Sequence, residues 1–126
     1  MAQRVEQAVR QTVPLGDHFP TPSGRGHFTV TRYTADWLVL LLGEKEAWTP
    51  LPWRALEQVP DFLRGRGWVL IGGVYSMDSQ QGSLAEHLKR FLKRATAGWV
   101  AVVLERAEVV TINRSRPARV KLCPGW

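Results

Sequence analysis

The 126-residue chain has a single cysteine, Cys123. An internal disulfide is therefore excluded, and this usage fits a reducing cytoplasm. Long apolar runs are also lacking. The strongest, Trp37–Leu42 and Trp99–Leu104, fall far short of the roughly 20 residues a membrane-spanning helix needs. The opening residues, MAQRVEQAVRQTV, carry charges throughout and have no apolar segment of the secretory-signal kind. The three histidines, His18, His27 and His87, have no metal-ligand spacing in sequence, so no zinc site is expected. Ser23-Gly24-Arg25-Gly26 is Gly-rich but lacks the lysine and following helix of a phosphate loop. Asp36, Glu44 and Glu46 are too loosely placed to assemble a nuclease metal centre, and Cys123 has no base partner in sequence. The expectation is a protein that is not an enzyme and uses no cofactor.

What remains is a globular composition, with 44% hydrophobic and 22% charged residues. The formal charge is +6, unevenly spread. Residues 1–66 hold 8 Lys/Arg against 7 Asp/Glu, whereas residues 67–126 hold 9 against 4. An excess concentrated in one half favours a polyanionic partner, because each cation placed on a phosphate releases condensed counterions. Arginine outnumbers lysine 13 to 4, which suits bidentate contact with phosphate and guanine edges.

Along the chain, Val5, Ala8, Val9 and Thr12 recur at helical spacing over residues 2–13, and Pro14 ends the pattern. A Pro/Gly-rich loop covers 14–27. Residues 28–33 alternate, 37–42 are continuously apolar, and the short polar gap between them predicts an antiparallel hairpin. A third short strand is expected over 47–49. Pro52 can open a helix striped by Trp53, Leu56 and Leu63, which Pro60 kinks or splits. A strand follows over 68–71. Ser83 and Glu86 form a capping box ahead of a helix over 83–93. Thr96 is placed to cap a further helix over 97–107. Strands over 108–113 and 118–122 flank a basic turn, Arg114–Pro117.

The order helix, strand, helix, helix, strand, strand over residues 52–123 resembles the winged-helix fold, a helix-turn-helix with an added β-hairpin. The fold class expected is α+β: residues 1–51 form a helix, loop and β-hairpin extension, and residues 52–126 form the winged-helix domain, packed as one unit. The strand over 68–71 is expected to pair on the edge of the hairpin. The resemblance implies that helix 97–107 enters the major groove and that the wing touches the backbone or minor groove.

On that implication, Arg114 and Arg116 occupy the wing tip with Arg119 close behind. Lys89, Arg90, Lys93 and Arg94 offer phosphate contacts, paired at i, i+4 on one helical face. Thr96 and Arg106 are the polar side chains of the third helix able to reach a base edge or phosphate, while Trp99 either stacks on a base or packs in the core. The leading reading is non-catalytic binding of double-stranded DNA, by a small regulator or by the reading head of a larger DNA-acting system. The alternative is a winged helix that contacts protein, as a homodimer or with another partner, through its apolar third helix or the hairpin at 37–42. A separate ligand-reading role for residues 1–50 is a third possibility.

Overall fold

The computed structural model describes residues 4–16, 18–21, 26–43, 47–72, 82–91, 96–115 and 117–126. It is an α+β structure with two antiparallel sheets and several helices. Helix α1 (Arg4–Thr12) leads into β1 (His18–Pro20), β2 (His27–Tyr33), β3 (Trp37–Leu42) and β4 (Ala47–Pro52), which pair in the order β1-β2-β3-β4. Helices α2 (Trp53–Glu57) and α3 (Val59–Leu63) follow, then β5 (Val69–Leu70), α4 (Leu84–Leu88), α5 (Ala97–Arg106), β6 (Val110–Asn113) and β7 (Arg119–Leu122). The second sheet has the order β5-β7-β6, so β7 is central and β5 joins its free edge, as expected for residues 68–71. No helix among the described residues is long and apolar enough to cross a membrane.

The hairpin β2–β3 carries a bulge between Val30 and Arg32. Strict alternation from Phe28 and Val30 would turn Arg32 into the core. The extra residue resets the phase, leaving Arg32 exposed while Val30 stays buried. Proline at 50 and 52 does not end the sheet, as the expected 47–49 strand assumed. Among the described residues β4 pairs only with β3, and an edge strand tolerates proline on its unpaired side. Strand β1 lies in the stretch read as loop; three residues long, it is held by its pairing with β2.

Pro60 splits the expected helix 53–64 in two. It lacks an N–H and would crowd the carbonyl four residues back, so α2 stops at Glu57 and α3 restarts with Pro60 in its first turn. Helix α5 ends in a left-handed residue, Glu108 (φ 62°). The bonds Glu108 N–H to Glu105 O (3.0 Å) and Val109 N–H to Leu104 O (2.9 Å) complete this terminator, with glutamate in the seat glycine usually takes.

One hydrophobic core runs from Val5, Val9 and Val13 through Phe28, Leu38, Leu40 and Leu51 to Leu56, Leu84, Leu104 and Val120. A nine-residue helix is too short to hold itself in water. Docking fixes α1: burying its two valines and Val13 contributes about 1.5 kcal/mol or more each. Polar anchors add to this. The Glu57 carboxylate accepts the free N–H groups of Val5 (3.1 Å) and Glu6 (2.7 Å) at the start of α1. The Tyr33 hydroxyl shares its one proton between the carbonyls of Val9 and Val13 at its end.

Candidate nucleic-acid interface

Helix α5 does not present a reading surface. Ala97, Val100, Ala101, Val102, Val103 and Leu104 are all buried, and α1 packs against the helix. The physical reason lies in its own sequence, AGWVAVVLER, which carries no charge before its last two residues, so most of its surface must be enclosed. This corrects the expectation that the third helix is free to enter a groove. Thr96 is corrected with it: it occupies the cap position but is 3% exposed, and its hydroxyl makes no cap bond and has no hydrogen-bond partner among the described residues. Trp99 is partly buried against the core. Arg106, in the last turn, is exposed.

The basic segment after α4 also differs from expectation. Ser83 Oγ accepts the Glu86 N–H at 3.1 Å, as in a capping box, while the return bond to Glu86 Oε1 comes from the Gly82 N–H at 3.0 Å, one residue before the cap. The helix then ends at Leu88, not at 93. Tighter bonds, Arg90 N–H to His87 O and Phe91 N–H to Leu88 O, close its last turn. Lys89 and Arg90 are exposed and lie beyond the helix. Lys93, Arg94 and Arg116 lie outside the described residues.

The feature that does gather cations is the outer face of the β5-β7-β6 sheet. In an antiparallel ladder, paired residues project to the same side. Thr111 pairs with Lys121, Asn113 with Arg119, and Leu70 with Arg119. Thr111, Asn113, Arg119 and Lys121 are all exposed, while Val110, Ile112 and Val120 face the core. Trp68, just ahead of β5, joins this side at 46% exposure, with Lys121 Nζ 5.9 Å from its ring centre. None of the three strands contains an acidic residue. Neither Arg119 nor Lys121 has an ion-pair partner among the described residues.

At the wing, Arg114 is charged but neutralised by an ion pair. Arg114 donates two parallel bonds to Glu105, both 2.7 Å, and these bonds push its guanidinium further above its ordinary range. Asn113 Oδ1 accepts the Ser115 N–H at 2.9 Å and sets the turn.

Two further groups bear on catalysis. Burial, then Glu108 and Glu105, pushes the Cys123 thiol up, the wrong direction for a nucleophile. His87 is buried, stacked on Phe62 at 4.4 Å with Phe91 at its edge, and burial followed by Arg90 and Arg66 lowers its pKa. His18 and His27, distant in sequence from any ligand pattern, meet across β1–β2 with ring centres 6.1 Å apart. No group of three metal-ligating side chains occurs among the described residues.

Sequence reading missed that Trp68 and Lys121 lie together. The signal was present: Arg119 and Lys121 share one side of a strand by two-residue periodicity, but only the pairing of β5 with β7 places Trp68 beside them.

Comparison with models of known protein families, with curated proteins and with solved structures returns no match. The class defined by the fold is therefore the α+β arrangement itself.

Proposed function

We propose that the chain is a non-catalytic module of winged-helix type that binds double-stranded DNA, with the outer face of the β5-β7-β6 sheet and the wing tip, not α5, as its contact surface. Support for the architecture comes from the element order between α2 and β7 and from the strand order β5-β7-β6. The observation that carries the binding reading is the pair Arg119 and Lys121, exposed side by side between Thr111, Asn113 and Trp68 in strands free of carboxylates. Such a face neutralises phosphates and donates hydrogen bonds to them. Contacts of this kind set position and affinity without reading bases, so discrimination between duplex sequences is weak.

The competing protein-contact reading loses most of one of its two surfaces, because six residues of α5 are buried. Titration of a labelled duplex at several salt concentrations tests the proposal. Replacing Arg119 and Lys121 together by glutamine is expected to weaken binding and to lower the slope of log affinity against log salt by about two. An unchanged slope with an intact fold refutes it.

A further inference from the structure

The four-stranded sheet has an outer face of its own. Across the strands, Thr29 pairs with Leu41 and Leu41 with Trp48, while Arg32, Val39 and Pro50 form the next row. Trp48 is 53% exposed, although an indole of that size is ordinarily covered. Arg32, turned outward by the bulge, lies with its guanidinium 5.8 Å from the Trp48 ring centre. Together with Thr31 and Leu41 these two residues line a shallow groove of about 310 Å³. Further along the same side, His18 Nδ1 and Thr29 Oγ1 are hydrogen-bonded at 2.9 Å, with His27 adjacent. None of the four strands contains an Asp or Glu, in a chain that has 11.

The geometry points to this face as a binding surface for single-stranded nucleic acid, with one base stacked on Trp48 in the groove, Arg32 on the flanking phosphate, and the Thr31 hydroxyl on the base or sugar. An exposed indole offers a flat face that only an unstacked base can use, since bases inside a duplex are already stacked. A guanidinium beside the ring meets the phosphate that accompanies such a base. Arg32 is the one charged residue in the four strands, and its sign suits a polyanion. A second copy of this chain is a poorer occupant. Pro50 and Pro52 remove donors that a partner strand would need at the β4 edge, and Arg32 would meet its own like charge across a two-fold contact. The surface belongs to a different sheet from the duplex face, so the two proposals stand or fall separately.

Fluorescence anisotropy with labelled oligothymidylate provides the test, on the full chain. Trp48→Ala is expected to weaken oligothymidylate binding on the order of tenfold and to leave duplex affinity unchanged. Arg32→Gln is expected to lower the salt slope for the single strand by about one unit or slightly less. Trp48→Phe, which keeps a ring, retains part of the affinity and separates stacking from a folding defect. The Arg119/Lys121 double variant should bind the oligothymidylate like the parent. The inference is overturned if Trp48→Ala binds oligothymidylate unchanged. It is equally overturned if single-strand and duplex binding fall in parallel in both variants, or if sedimentation shows a dimer that Trp48→Ala converts to monomer.

Discussion

Replacing Glu105 by glutamine separates what the wing tip does for stability from what it does for binding. In the folded chain the Arg114 fork is saturated by the Glu105 carboxylate through two bonds of 2.7 Å, and the side chains are 45% and 31% exposed. Water screens a pair so exposed, so its loss costs about 0.5–1 kcal/mol despite the bidentate geometry. For a chain of this length that lowers the melting midpoint by roughly 2–4 °C. Binding moves the other way. A phosphate at the tip competes with Glu105 for Arg114 and is repelled by the carboxylate itself. The glutamine variant frees one cation and removes one anion, steepening the salt slope by about 0.9 and tightening duplex binding by about 1 kcal/mol, or roughly fivefold. Thermal unfolding and duplex titration on the same preparation give both numbers, and a cycle with Arg114→Gln isolates the pairwise part. A variant that loses stability while its duplex affinity and slope stay at parental values would falsify the placement of the tip in the interface.

Two other outcomes follow from the folded state alone. Glu57→Ala leaves the Val5 and Glu6 N–H groups without their acceptor and is expected to cost about 1–2 kcal/mol, read from the urea midpoint; no change would mean that water replaces the carboxylate fully. His87 has a folded pKa below its ordinary value of 6.5, so the unfolded chain takes up its proton first as pH falls. Stability contributed by neutral His87 is thus whole above that ordinary value and declines as pH drops from there toward the folded pKa. His87→Phe should flatten the dependence of the melting midpoint between neutral and mildly acid pH, and an equally steep profile in that variant would assign the loss to other groups.

The local elements were legible where one signal acted alone. The run Trp37–Leu42 is a strand with the bounds its apolar character drew, and Ser83 caps the start of α4 as spacing required. Residues 28–33 are a strand as their alternation required, with a bulge that shifts the phase at Arg32. The expectation failed where two signals competed. The cations after Leu88 looked like a continued helix face, yet the chain tightens and leaves the α-helix there.

The sequence by itself determined that α5 would be largely apolar and that the surplus charge would lie in the second half. Only the tertiary structure decided what buries that helix and where the charge becomes usable. α1 packs on α5, and strand pairing brings Trp68, Arg119 and Lys121 onto one face and Arg32 and Trp48 onto another. Register and docking depend on contacts between residues far apart in the chain, and periodicity within a segment carries no information about them.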